Sequence, residues 1–263
     1  MHHFGDVLPP KGRFSSIGVV ESTGSTNNDL ATRARTDGCE PTALIALEQT
    51  SGKGRRGRTW TQPHATGLSM SVLVPWGNHR SAFIVPTCLG LAVLDATEKL
   101  TQTGDRIALK WPNDLVACDS GAKVGGLLSE AIHASGDLVG LVCGIGVNLT
   151  WPMPGDVVDA SLSNATCLSA VLEGAPALRD LAGTTLEAFD SWLSVVEQRG
   201  IEPALETYRA RCATLGHQIE VRTEVDVVSG LAVDITNSGL LVVDTQNGQR
   251  SFSTGDVTRV RVS

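Results

Sequence analysis

Gly52-Lys53-Gly54-Arg55-Arg56-Gly57-Arg58-Thr59-Trp60 is the stretch on which the reading of the fold turns. It satisfies the spacing G-x-G-x-x-G, which in a doubly wound α/β fold runs straight into a helix whose N-terminus holds a pyrophosphate. Here Thr61-Gln62-Pro63 follows, and then Leu68–Val74, an apolar run of strand length. With a strand where the helix should be, the dinucleotide fold is excluded. A Walker loop is excluded as well, because Lys53 is followed by Gly54 rather than Ser or Thr. What remains is a glycine-freed loop with four of the chain's 21 Lys and Arg residues, in a protein that carries 28 Asp and Glu and a net charge of −7. Glycines let backbone N–H groups approach a ligand, and interleaved cations add side-chain donors, so the loop suits a closely held anion. A phosphate-bearing ligand is expected.

Outward from the loop, short strands and helices alternate without a regular βαβ period. Ile17–Glu21, Ala43–Leu47 and Leu68–Val74 are strand candidates, and Ser25-Thr26 offers an N-cap for a helix over Asn27–Ala34. Leu91, Leu94, Ala96 and Leu100 give Phe83–Leu100 the spacing of a buried helix. Strands are expected at Ile107–Trp111, Leu115–Cys118, Val124–Ile132 and Leu138–Asn148, and helices at Arg179–Gln198 and Pro203–Ala213. Residues 151–159 read as a Pro/Gly/Asp-rich loop. After Gly216 the chain becomes short alternating runs: Ile219–Arg222, Val225–Asp234, Leu240–Asp244 and Val257–Val262. They are separated by the turn signals Asn237-Ser238-Gly239 and Gln246-Asn247-Gly248. The expected organisation is a loose leader over 1–16, an α+β domain over 17–213 and a small β-barrel over 214–263.

Composition narrows the function classes. The chain has 263 residues, 41% hydrophobic and 19% charged, enough to bury a core without staples. An acidic balance argues against coating nucleic acid or an anionic membrane, and 4% aromatics are too few for a base-stacking platform. The six cysteines lie far apart without a C-x-x-C pair, which fits neither a zinc site nor a disulfide framework. No signal peptide and no run of 18 apolar residues is present, so a reducing cytoplasm is the expected location.

Three more clusters carry chemistry. Lys110-Trp111-Pro112-Asn113-Asp114 ends a strand in a Pro-Asn-Asp turn, which accounts for Pro112 and Asn113 but not for Lys110 in an apolar run or for the carboxylate after it. Lys123 opens Val124-Gly125-Gly126-Leu127-Leu128-Ser129-Glu130; alone, such a lysine is ordinary surface. Gly144-Ile145-Gly146-Val147-Asn148 reads as a strand end with a close backbone approach.

Taken in order, Ser25-Thr26-Asn27, Glu48-Gln49, Gly52 to Arg58 with Trp60, Lys110 to Asp114, Lys123 to Glu130 and Gly144 to Asn148 resemble the successive motifs of biotin protein ligases. The resemblance spans about residues 17–212, and the C-terminal strands are similar to that family's SH3-like domain. It implies a mixed, largely antiparallel sheet packed with helices. It also implies an enzyme that condenses biotin with ATP to biotinyl-5′-AMP, then passes biotin to a lysine of a biotin carboxyl carrier protein. Ser25, Thr26, Asn27, Gln49, Gly52, Trp60 and Gly125 are then expected at the biotin. Lys53, Gly54, Arg55, Arg56, Gly57, Arg58, Trp60, Lys110, Asn113, Asp114, Lys123 and Asn148 are expected around the adenylate, Asn148 at the adenine. Lys53 and Arg55 are expected to hold phosphate and carboxylate, Lys123 to bridge them, and Asp114 to receive the acceptor lysine. ATP and biotin are expected as substrates, Mg²⁺ with the pyrophosphate and no protein-bound metal. Two features depart from the family pattern. The first loop cation is Lys53 where the family often has Arg, which keeps the charge and loses the bidentate fork. Fewer than about 20 residues precede the first strand, too few for the helix-turn-helix of family members that also repress transcription, so no DNA binding and no membrane binding are expected. The expected state is a monomer or weak homodimer. The nearest alternative, a lipoate–protein ligase, usually carries a Gly-Gly-Gly loop preceded by arginines. A basic-loop nucleic-acid module would instead bind with steep salt dependence.

Overall fold

Because Ser25 and Thr26 start a helix directly after the first strand, the chain crosses over before it can form a second, and the pairing is parallel. β1 (Ser16–Thr23) and β2 (Thr42–Gln49) are joined in this way by α1 (Thr26–Asp37). The computed structural model describes residues 11–77, 81–156, 158, 160–172 and 174–259. β3 (Gly67–Pro75) adds antiparallel to β2, and its side chains divide strictly by parity: Leu68, Met70, Val72 and Val74 enter the main core, Leu73 the smaller one under α1. Runs apolar at every position mark a sheet covered on both faces.

The main-core cover comes from α2 (Ile84–Thr101). β4 (Ile107–Lys110), β5 (Asp114–Ala117), β6 (Lys123–Ala134) and β7 (Asp137–Asn148) complete a seven-stranded sheet in the order β1-β2-β3-β7-β6-β5-β4, antiparallel except for β1–β2. The short α3 (Leu168–Val171), the long α4 (Leu178–Arg199) and α5 (Glu202–Ala210) follow, with α4 and α5 packed on α2. The expected mixed, largely antiparallel sheet with helices is what forms. No helix among the described residues is long and apolar enough to cross a membrane.

The C-terminal strands are β8 (Gln218–Arg222), β9 (Val227–Ile235), β10 (Leu241–Thr245), β11 (Gly248–Phe252) and β12 (Asp256–Arg259), in the antiparallel order β11-β10-β9-β8-β12. The expected barrel is not closed: among the described residues β11 and β12 are open edges. β11 escaped the sequence reading because Gly248 to Ser251 are all exposed and show no apolar alternation. The strand expected over Val257–Val262 begins at Asp256 and is described to Arg259; its last three residues lie outside the described ones. Residues 1–10 of the expected leader also lie outside them, whereas Phe14 is fully buried and stacks on Phe189 at 5.8 Å. Residues 11–16 are therefore part of the fold, with Arg13 bonded to Asp190 at 2.5 Å.

Trp111 joins the two sheets. It is 1% exposed; its backbone N–H donates to Thr214 Oγ1 at 3.0 Å and its indole N–H to Gly239 O at 2.9 Å. Gly239 sits at φ 86, the left-handed region that its turn requires. Trp111→Phe removes the indole donor and leaves a buried carbonyl without its partner, an expected loss of about 1–3 kcal/mol. Trp111→Ala adds a cavity and should cost about 3–5 kcal/mol. Urea unfolding measures both, and a Phe variant as stable as the wild type would show that the bond holds nothing.

Candidate active site

Buried polar groups must be paired, so a polar cluster inside an apolar sheet indicates a site rather than a core. At one end of a cleft of about 920 Å³, Ser25, Thr26 and Asn27 at the start of α1 are 2–4% exposed. The Thr26 N–H donates to Gln49 Oε1 at 2.9 Å, and its hydroxyl lies 2.7 Å from Ser71 Oγ. Ser71 donates to Asn27 Oδ1 at 2.6 Å, and Asn27 Nδ2 donates to Glu130 Oε2 at 2.8 Å. Ser71 was missed from sequence; its signal was a pair of hydroxyls, Ser69 and Ser71, inside an otherwise apolar strand. Gly144 is required beside this chain of bonds, since a Cβ there would lie 2.3 Å from Asn27 Oδ1.

The loop after β2 folds back on itself. Gly54 N–H donates to Arg58 O at 2.7 Å and Trp60 N–H to Gly52 O at 2.9 Å, with Arg56 (φ 54) and Gly57 (φ 71) both left-handed at the tip. Glycine suits such a position and arginine adopts it rarely. The narrow hairpin returns Trp60 across the sheet onto Gly146, where a Cβ would lie 2.4 Å from the indole Cε2. The indole Nε1 is buried without a hydrogen-bond partner.

The cations are shared among three places. Lys53 Nζ lies 2.5 Å from Asn28 Oδ1 and 3.8 Å from Glu130 Oε1, at the α1 end of the cleft that Arg55 also lines. Arg55 donates to Asn113 Oδ1 at 3.2 Å and to Thr254 Oγ1 at 3.0 Å. Burial, helped by neighbouring Arg56, pulls its pKa below the ordinary arginine value, against Asp114 and Asp256. Arg56 and Arg58 both reach Asp256 Oδ2, at 3.4 and 2.8 Å. Lys123 Nζ is 2.6 Å from Asp114 Oδ1 and 6.0 Å from the Trp60 ring centroid.

Sheet register explains this last pairing. Asp114 faces Lys110 across the β4–β5 hairpin and Gly126 on β6, so residues distant in sequence share one patch. Burial lowers the Lys110 ammonium below its ordinary value, with Asp114 opposing the shift. Gly126, not Gly125, lines the cleft: a Cβ on Gly126 would meet Lys123 Nζ at 3.2 Å, one on Gly125 the carbonyl of Gly146 at 2.6 Å. Strand parity turns neighbouring residues apart, and the sequence reading chose the wrong member of the pair. Gly52 and Gly57 shape the hairpin without lining the cleft, and Asn148 lines it while donating to Thr166 O at 2.9 Å. Thr254 and Asp256, from the C-terminal sheet, were not foreseen. The cleft as built has paired polar groups at its buried end and cations along the rest.

A mixed seven-stranded sheet bearing this loop and cleft defines the biotin/lipoate ligase class of protein. Residues 19–148 match the Biotin/lipoate A/B protein ligase family and residues 214–259 the Biotin protein ligase C terminal domain. A biotin–[acetyl-CoA-carboxylase] ligase of Mycobacterium tuberculosis is 33% identical over 262 residues, covering 93% of this chain and 89% of that protein. Among solved structures, the biotin protein ligase of Aquifex aeolicus in complex with biotin and ATP superposes with a TM-score of 0.75 at 23% identity, over 95% of this chain and 100% of that one. That of Leishmania major with biotinyl-5-AMP gives 0.60 at 25% identity, over 91% and 99%. Within its class, then, the chain belongs to the biotin protein ligases, and it is an enzyme of that kind.

Gly146→Ala should force the Trp60 indole off the sheet, because the new methyl has no other room. Tryptophan emission is expected to shift to the red, and the same substitution in a Trp60→Phe background should leave the emission unchanged. An unshifted spectrum in the single variant would show that the indole does not rest there.

Proposed function

We propose that the enzyme activates biotin with ATP to biotinyl-5′-AMP, releasing pyrophosphate, and transfers biotin to one lysine of a biotin carboxyl carrier protein of acetyl-CoA carboxylase or a related carboxylase. The observation that carries this reading is the meeting of Lys123, Asp114 and Arg55 in one cleft whose far end is the prearranged cluster of Thr26, Asn27 and Gln49. The ureido ring offers donors and an acceptor of fixed geometry, which a preset chain of hydrogen bonds recognises without reorganising. Trp60 and Gly146 form the wall along the apolar part of biotin.

In the first step a biotin carboxylate oxygen forms a bond to the α-phosphorus and the bond to pyrophosphate breaks. Two anions must come into contact, so fixed cations at that point lower the barrier. Lys123 and Arg55 serve there, with Lys110, Asn113 and the amides of the 54–58 loop around the phosphates and Asn148 at the adenine. Lys53 closes the α1 end of the loop. Carried on the ATP phosphates, Mg²⁺ would supply charge neutralisation to the leaving pyrophosphate. Among the described residues no group of three or more His, Cys, Asp or Glu side chains is placed to cage a metal ion. In the second step the acceptor lysine nitrogen bonds to the acyl carbon and AMP leaves. A lysine with an ordinary pKa of about 10.4 is protonated at neutral pH, and Asp114 orients the ammonium and takes its proton. Six unpaired cysteines suit a reducing cytoplasm.

Lys123→Ala is expected to lower pyrophosphate release by about 10²–10³-fold. Comparable turnover in mutant and wild type would remove Lys123 from the adenylation step. Asp114→Asn keeps the hairpin and its turn but removes the base. Single-turnover transfer from preformed adenylate should fall by about 10²-fold while adenylate synthesis changes much less. Equal losses in both steps would assign Asp114 to structure instead.

A further inference from the structure

All three loop arginines reach partners in the C-terminal domain. Arg55 donates to Thr254 Oγ1 at 3.0 Å, Arg58 to Asp256 Oδ2 at 2.8 Å, and Arg56 to the same oxygen at 3.4 Å. Asp256 opens β12, next to Gly255, whose position against Val221 leaves no room for a side chain: a Cβ there would lie 2.7 Å from Val221 Cγ1. Gly255, Asp256 and Val257 all line the same cleft as Lys123. The C-terminal sheet is thus a wall of the substrate cleft, anchored to the catalytic sheet through the Trp111 indole bond to Gly239.

We infer that Asp256 is a positioning residue for the ATP half of the reaction: it holds Arg56 and Arg58 so that the 54–58 loop is already folded when the phosphates arrive. This rests on the function proposed above and extends it to a residue of the C-terminal domain. Two effects of the carboxylate compete. It repels incoming phosphate, and it relieves the mutual repulsion of the loop cations. The repulsion of phosphate is already offset by the two guanidinium groups on the carboxylate. Without Asp256 the cations have no fixed anion at the tip, where Arg56 is left-handed and no residue of the turn is buried. The ordering cost then falls on ATP binding. Once bound, the phosphates replace Asp256 as the counter-charge, so the chemical step is spared. The biotin end is held by α1, β2 and β3 and does not share these contacts.

The test uses the full-length enzyme and Asp256→Asn, with Asp256→Glu as the conservative control. In the ligand-free protein, hydrogen exchange at the amides of residues 54–58 should rise about tenfold in Asp256→Asn, as expected when a local opening free energy drops by one factor of ten in its equilibrium. In pyrophosphate-release kinetics the KM for ATP should rise by about tenfold, the KM for biotin and kcat should stay within about twofold, and Asp256→Glu should recover most of the loss. Unchanged loop exchange overturns the inference. So does a KM for ATP that is unchanged or lowered, the last outcome showing that repulsion of phosphate dominates. A parallel rise in both KM values assigns Asp256 to general structure. If the wild type forms no adenylate at all, the functional reading has failed, and the exchange measurement still decides whether Asp256 holds the loop.

Discussion

Like charges crowded into one short loop repel, and the remainder of the site is arranged around that fact. Lys53, Arg55, Arg56 and Arg58 lie within six residues. Two unit charges about 6 Å apart cost roughly 1–3 kcal/mol between the limits of water and a protein surface. No segment of six residues can offset several such pairs by itself. The counter-groups come from elsewhere in the chain: Asn28 and Glu130 for Lys53, Asn113 and Thr254 for Arg55, and Asp256 for Arg56 and Arg58. They belong to α1, β6, the β4–β5 turn and the C-terminal sheet. The loop is therefore a product of the tertiary fold, and the two sheets have to be in place together for its cations to face one cleft.

A second constraint is steric. Trp60 can lie flat on the sheet because Gly146 has no side chain, and Asn27 can reach Ser71 and Glu130 because Gly144 has none. Both glycines sit on β7, two residues apart and so on the same face, which turns one strand into the floor of the cleft. The neighbouring residues Cys143, Ile145 and Val147 face the main core and are almost fully buried. One strand thus serves the core with Cys143, Ile145 and Val147 and the cleft with Gly144, Gly146 and Asn148. That division explains why Gly144-Ile145-Gly146-Val147-Asn148 looked like an unremarkable strand end when read alone.

Much of the architecture was legible because it depends on local pattern. The apolar run of Leu68 to Val74, the helical spacing of Leu91, Leu94 and Leu100, and the turn at Asn237-Ser238-Gly239 are all one-dimensional signals. β11 was illegible because its exposed Gly248–Ser251 segment is held by pairing with β10 rather than by burial. The cations of the loop were legible as charges but not as directions. Lys53 reaches back to Asn28 on α1, a partner 25 residues away that spacing within the loop does not reveal. Gly125 and Gly126 pose the same problem, since a one-residue error in a strand reverses the face. Thr254 and Asp256 carried no sequence signal, because their importance arises from a partner about 200 residues away in the chain.

In the proposed reaction the Lys123–Asp114 pair serves two steps with opposite electrostatic needs. In the ligand-free cleft the ammonium and the carboxylate lie 2.6 Å apart and satisfy each other, with both side chains about a third exposed or less. Such a contact is worth little net free energy, so a stronger anion displaces it readily. In the proposed reaction, the carboxylate of biotin and the α-phosphate together present more negative charge to Lys123 than Asp114 does. As Lys123 turns to them, Asp114 is left as a carboxylate without its cation, beside the acyl phosphate just formed. A carboxylate in that position attracts the next cation to arrive, which is the ammonium of the acceptor lysine. In the proposed reaction Asp114 is therefore masked in the ligand-free cleft and exposed once the anions of the substrates hold Lys123, before the acceptor lysine arrives. In that reading the exchange at Asp114 depends on which anion holds Lys123 and requires no large movement of the sheet on which both residues sit.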